Sequence, residues 1–125
     1  MTVQKYRFNK LWDEYHPINP SYRQFHCANI DGLWELDEST IIIVALQNKK
    51  PHDGSFQTFM KQLYKKCRRE QKHLFFAEIL NDRFKEHLVS KHGFTFIEKM
   101  NVESEKGLVS GCLKQYTKIE NQNGD

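Results

Sequence analysis

Cysteine is scarce in this 125-residue chain, and its three copies, Cys27, Cys67 and Cys112, are odd in number and far apart. No CxxC or Cys/His spacing occurs, which excludes a disulfide framework and the usual zinc sites and leaves the thiols reduced, with Cys67 packed inside. Long apolar runs are missing too: none approaches the roughly eighteen residues that a membrane helix needs. The opening MTVQKYRFNK lacks the apolar stretch and small-residue cleavage site of a secretory signal, so the expected location is the cytoplasm. Neither sign of charge dominates. A formal net charge of +3 and a pI near 8.7 are mildly basic, short of a dedicated nucleic-acid binder, and no RNP-like strand or GXXG loop is present, so nucleic acid is not an expected partner. There is no Ser/His/Asp elbow, Walker loop, HExxH or paired-carboxylate signature, and no metal is expected. Internal repeats and low-complexity tracts are absent.

What the chain does have is a globular composition, 38% hydrophobic with 13% aromatic residues, enough for a single α/β domain over residues 1–125 with its own core. Residues 1–31 give no decisive period: 3–15 read as a short strand or a helix, and HPINPSYRQF breaks regularity with two prolines. From Gly32 the pattern sharpens. GLWEL alternates Leu33, Glu35 and Asp37 against Trp34 and Leu36, DEST supplies a turn, and the β-branched run IIIVAL reads as a central strand buried on both faces. After the loop QNKKPHDG, the residues Phe56, Phe59, Met60, Leu63, Tyr64 and Cys67 recur at helical spacing, with Asp53 or Ser55 as the cap. Lys61, Lys65, Lys66, Arg68, Arg69 and Lys72 crowd that helix, a set that suits either an attraction for phosphates or, as the expected reading, a solvated face. HLFFAEIL reads as a strand, Asn81-Asp82 as a cap, RFKEHLVSKH as a second helix and Gly93 as its left-handed stop. The strand, helix, strand order implies a crossover and a parallel pair. FTFIEKMNVE and LVSGCLKQYTK form a closing hairpin joined at SEKG, and residues 119–125 a tail.

This order over residues 32–118 resembles the GNAT (GCN5-related N-acetyltransferase) superfamily. The resemblance rests on Gly54 in the loop after the first parallel strand, Phe59 and Met60 on the following helix, Asn81 after the second strand, and Gly93-Phe94 after the second helix. It implies a GNAT-like mixed sheet flanked by helices, with splayed central parallel strands that admit the pantetheine arm of acetyl-CoA or another acyl-CoA. Asp53, Gly54, Ser55 and Phe56 would then form the pyrophosphate loop, since free N–H groups at a helix N-terminus suit a phosphate. Backbone N–H groups near Val44 to Leu46 would polarise the thioester carbonyl, and Asn81 would help hold the coenzyme. The chain departs from the family pattern at Pro51, where Gln or Arg is expected, at Phe56, where Gly or Ala is expected, and at Val89, where a tyrosine acid often stands. Glu35 and Glu78 are the candidate bases for the attacking amine. Asp37 is a further candidate, since alternation puts it with Glu35 on one solvent face of the strand, and Glu78 is placed as a carboxylate within an apolar strand. His26 and His52 are loop candidates for a base or a phosphate contact.

The reading that follows is acetyl transfer from acetyl-CoA to an amine on a small molecule or a protein. The alternative is a catalytically silent GNAT-fold module for protein binding, or an assembly component of viral or phage type, which would place it in a host cytoplasm or a virion. Exposed sheet edges permit a homo-oligomer.

Overall fold

The computed structural model describes residues 10–19, 21–101 and 108–116. Seven strands and two helices follow one another along the chain. They are β1 (Trp12–Tyr15), β2 (Arg23–Cys27), β3 (Ile30–Leu36), β4 (Thr40–Asn48), α1 (Ser55–Glu70), β5 (His73–Ala77), α2 (Asp82–His92), β6 (Thr95–Asn101) and β7 (Leu108–Lys114). All strands join one sheet in the order β1-β2-β3-β4-β5-β7-β6. β4 and β5 are the parallel pair, and every other neighbouring pair is antiparallel.

The IIIVAL run forms β4 at the centre because its two faces meet two different apolar clusters. Ile41 and Ile43 join Phe25, Trp34, Phe59, Leu63, Cys67 and Leu88, so both helices cover the same face. Ile42 points the other way and joins Phe75, with Val44, Ala77, Met100 and Val109 around them. The helical stripe read from the sequence is the buried stripe of α1: Phe59, Met60, Leu63, Tyr64 and Cys67 are all buried. Phe59 stacks on Phe25 with ring centroids 5.2 Å apart. All three cysteines are free and buried, and burial pushes Cys27 up to about 11 and Cys67 up to about 12, which keeps both as thiols.

β7 can lie against β5 because position 111 has no side chain. A Cβ on Gly111 would fall 2.2 Å from the Phe76 carbonyl oxygen and 2.6 Å from the Phe75 ring. Gly93 ends α2 in the left-handed region, and Asn81 caps its start by accepting the Phe84 N–H at 3.1 Å, as the sequence indicated.

Several expectations require correction. β5 stops at Ala77 rather than Leu80: Glu78 turns to φ +50°, and Leu80 is 95% exposed despite its apolar character. Glu78 is therefore an exposed residue beyond the strand end, not a carboxylate buried within it. GLWEL keeps its alternation, with Trp34 paired to Ile43 on the helix side and Glu35 paired to Ile42 on the opposite side, but Glu35 is buried there rather than solvated, and Leu36 is 37% exposed. β2 begins inside the stretch read as irregular, and β1 occupies the end of the ambiguous segment. His26 lies on β2 and is buried, not in an open loop. The helix cap is Gly54 rather than Asp53 or Ser55, and α1 ends at Gln71 in the left-handed region without a glycine. The SEKG turn, the 119–125 tail and residues 1–9 lie outside the described residues. Among the described residues no helix is long and apolar enough to cross a membrane.

Candidate functional site

The parallel pair opens like a fork. β4 and β5 are in register from Thr40/His73 to Ile43/Phe76, and there the pairing ends, although β4 continues to Asn48. The cause lies on the other side of β4, where Leu33 pairs with Ala45 and Trp34 with Ile43, so Val44 is the extra residue of a bulge. A bulge bends its strand and takes local backbone groups out of the ladder. The resulting gap is a cleft of about 260 Å³ whose walls include Ile43, Val44, Ala45 and Leu46 from β4, Phe76 and Ala77 from β5, and Asn81 at the rim. The splay expected from the sequence is present, with Val44 and Leu46 in its wall. Asn81 sits at its mouth with its side-chain oxygen engaged in the α2 cap.

Beyond the end of β4, residues 49–54 turn the chain into α1. Gly54 holds φ +88°, and a Cβ there would meet nothing within 4 Å, so the turn needs glycine for conformation and leaves open space in front. The first helical hydrogen bond runs from Thr58 N–H to the Gly54 carbonyl at 3.1 Å. Ser55 N–H donates instead to Asp53 Oδ1 at 2.9 Å, which leaves the Phe56 and Gln57 N–H groups at the positive end of the helix without a place in its ladder. They border a second cleft of about 470 Å³, together with Asn48, Pro51, His52, Gly54 and His87.

Asp53 and Ser55 have structural work at this loop. Asp53 Oδ2 accepts from Asn29 Nδ2 at 2.7 Å, and Ser55 Oγ accepts the Asn29 N–H at 3.2 Å, tying the loop to the β2–β3 turn. Hydrogen bonds from the Ser55 side chain and N–H, then from Asn29, hold the Asp53 carboxyl below the usual carboxylate range. Phe56 does not lie in the gap between β4 and β5. Its ring turns toward α2, edge-on to Phe84 at 5.6 Å and beside His87 at 5.8 Å, so the bulk at that position is packed sideways and the cleft before the amides stays open.

The two proposed carboxylates fare differently. Glu78 lines the interstrand cleft. Glu35 is buried beside Ile42 in the paired part of the sheet and lines neither cleft, so the structure does not bring it to the site. His52 borders the loop cleft, whereas His26 bonds Asp31 at 2.8 Å on the other face. Val89 is exposed on α2.

Sequence reasoning missed a histidine pair on α2. His87 and His92 pack with ring centroids 5.1 Å apart, and His92 Nδ1 lies 2.9 Å from the Tyr64 hydroxyl. The spacing Phe84, His87, Leu88, His92 marks one helix face, which is the signal that could have found them. Buried Lys114 donates from Nζ to the His92 carbonyl. Burial, then His87 and Lys114, pushes His92 down to about 4, so the ring that shares a hydrogen bond with the Tyr64 hydroxyl is neutral. The unfolded chain, with an ordinary histidine near 6.5, binds this proton first as pH falls, so the contribution of His92 is intact above that value and is lost as pH drops through about 4. Thermal unfolding between those two pH values is therefore expected to show a decline that is smaller in His92→Gln; equal slopes in the two proteins would refute the assignment.

Among the described residues, no group of three or more His, Cys, Asp or Glu side chains is placed to hold a metal ion. Neither a protein-family model nor a curated protein matches the sequence. Among solved structures, the chain is similar to that of yncA from Salmonella typhimurium, a proposed acetyltransferase with its cofactor acetyl-CoA. The TM-score is 0.51 at 14% identity, over 76% of this chain and 65% of that one. The chain thus spans just under two thirds of the length of that neighbour. The likeness establishes the fold: a GNAT-like mixed sheet with a splayed parallel pair, as the landmarks Gly54, Asn81 and Gly93-Phe94 implied.

Proposed function

We propose that this chain is an acyl-CoA-dependent N-acyltransferase that moves an acetyl group from acetyl-CoA to an amine. The observation that carries the reading is the forked β4–β5 pair with the N-terminus of α1 open at one end, since one continuous ligand with an anionic head and a narrow arm suits both parts. The pyrophosphate would take the Phe56 and Gln57 N–H groups, and the pantetheine arm would run along the freed edge of β4 past Val44 to Leu46. Those backbone groups, released by the bulge, would polarise the thioester carbonyl and stabilise the oxyanion as the amine adds. Asn81 would sit against the arm, and Glu78 would accept the proton that the amine loses as the N–C bond forms. The neighbour that binds acetyl-CoA supports the cofactor choice through its fold.

A second reading, a silent module for protein binding, draws on Val89, which offers no hydroxyl where the family often has a tyrosine. Release of free coenzyme A thiol from acetyl-CoA in the presence of 1,5-diaminopentane separates the two. Transferase activity is expected, reduced about 10²-fold in Glu78→Gln, with acetyl-CoA affinity unchanged within about twofold. A wild-type rate equal to the uncatalysed one with this amine and with lysine peptides would favour the silent module.

A further inference from the structure

A further cavity, of about 270 Å³, lies between α1 and the β1 side of the sheet and shares no wall residue with the loop cleft or the interstrand cleft. Strand register builds one of its walls. Asp13 pairs with Phe25 and Arg23 with Trp34, which puts all four on the face that α1 covers. Opposite them, Gln62, Lys66 and Arg69 follow one another at helical spacing on a flank of α1 beside its buried stripe. Leu11 and Trp34 supply the apolar wall, and exposed Lys10 completes the lining.

Positive charge exceeds negative in this space. α1 carries five basic residues and one acid, while the whole chain has a formal net charge of only +3, so the surplus of the protein sits on this helix. Lys66 and Arg69 share a single carboxylate: Glu70 Oε2 lies 2.5 Å from Lys66 Nζ and 4.0 Å from Arg69 Nη2. Asp13, the one carboxylate in the wall, is committed to Arg23, which donates from Nε to its Oδ2 at 2.6 Å. The Lys66 side chain is only 15% exposed, and its Nζ stands 5.7 Å over the Trp34 ring, where partial desolvation strengthens any attraction for an anion. Trp34 has no exposed surface, and its Nε1 has no hydrogen-bond partner among the described residues. A buried donor without an acceptor is costly and uncommon in native proteins, so it calls for an explanation.

We propose that this cavity is a second ligand site, for a dianionic phosphate group, either the free ion or the monoester of a small molecule. Lys66 and Arg69 would hold the phosphate oxygens, the guanidinium through two parallel N–H groups, and Lys10 would add its charge from the rim. The Trp34 N–H would donate to a further oxygen and so gain the acceptor that the protein does not give it. A carboxylate ligand brings one charge and two oxygens to three cations and an indole donor, whereas phosphate brings two charges and more acceptors, which is the better match. Leu11 and the indole would take a short organic group, and the volume restricts the occupant to a small molecule. Glu70 is the internal competitor for the same two cations, so it sets how tightly the anion is held. The site does not depend on the acyl-transfer reading, since none of its residues borders the clefts given to the coenzyme.

The test follows the indole N–H resonances of the full-length, nitrogen-labelled chain at about pH 8, above the second phosphate pKa of about 6. The chain has two tryptophans, and Trp12→Phe assigns which signal belongs to Trp34. Inorganic phosphate and phenyl phosphate are the probes, with sodium chloride at matched ionic strength as the control. The Trp34 signal is expected to move downfield and saturate, with a Kd of roughly 1 mM for phosphate and a value about tenfold lower for phenyl phosphate, whose ring is buried against Leu11 and the indole. Arg69→Met, at a side chain 69% exposed and so harmless to folding, is expected to weaken both probes about 10-fold or more, as is Lys66→Met. Glu70→Gln is expected to tighten both by about threefold or more, because it releases the two cations. Equal affinity for the two probes would identify the free ion as the occupant and leave the site standing. A Trp34 signal that stays still, or moves equally with chloride, overturns the proposal, and so does wild-type affinity in both Arg69→Met and Lys66→Met. Acetyl-CoA affinity should be unchanged in Arg69→Met; an equal loss for acetyl-CoA and phosphate would refute a separate site.

Discussion

Gly54→Trp is expected to weaken acetyl-CoA binding by roughly 10²- to 10⁴-fold, which is the loss of two hydrogen bonds to a charged group at about 1.5–3 kcal/mol each. The two bonds are those from the Phe56 and Gln57 N–H groups, the first-turn donors that border the loop cleft. The space in front of Gly54 is empty, with nothing within 4 Å of where a Cβ would stand. An indole starting from that open space is expected to extend over the loop cleft, covering the proposed phosphate seat while the protein stays folded. Gly54→Ala is the control for backbone strain. At φ +88° alanine adds about 1–2 kcal/mol of strain, yet it leaves the seat open, so the binding loss should be no more than about tenfold. Calorimetric titration of both variants decides the matter. Equal affinities for the tryptophan and alanine variants would show that the phosphates bind elsewhere.

Phe59→Ala is expected to remove about 3–5 kcal/mol of folding stability, a large share of the roughly 5–15 kcal/mol typical of a domain. Phe59 has no exposed surface, stacks on Phe25 of β2, and stands at the buried face of α1 where helix and sheet meet. Truncation leaves a cavity that Phe25 and Trp34, themselves stacked at 4.7 Å, cannot close without leaving their own contacts. Urea denaturation followed by circular dichroism gives the value. A loss below about 1 kcal/mol would mean that α1 is not anchored on this face.

Much of this fold was legible because local chemistry and tertiary position agree. The IIIVAL run is central since both its faces are covered, and the α1 stripe at Phe59, Met60, Leu63, Tyr64 and Cys67 is a simple helical period. Asn81 and Gly93 announce a cap and a stop by residue type alone. The failures lie where position in space overrides pattern. Ile79 and Leu80 extend the apolar look of β5, but with the fork open beyond Phe76 there is no partner on β4 to hold them in a strand. Glu35 looked like a solvent-facing residue because its strand alternates, but its partner Ile42 belongs to a second apolar cluster that covers that face of the sheet.

The candidate site was legible in part. Gly54, Val44, Leu46 and Asn81 were named from the order of elements, and the structure gathers them around two clefts. Phe56 read as an obstruction because its side-chain direction depends on α2, a later element, which receives the ring against Phe84 and His87.

The central claim is that an acyl-CoA spans the α1 N-terminus and the β4–β5 fork. It is tested most directly by backbone-amide NMR of the labelled protein titrated with acetyl-CoA. The expected result is saturable shifts at micromolar ligand for Phe56 and Gln57 at one end and Val44 to Leu46 at the other, with the amides of β1 unmoved. Unchanged spectra at millimolar acetyl-CoA, or shifts confined to residues outside the loop and the fork, would contradict it.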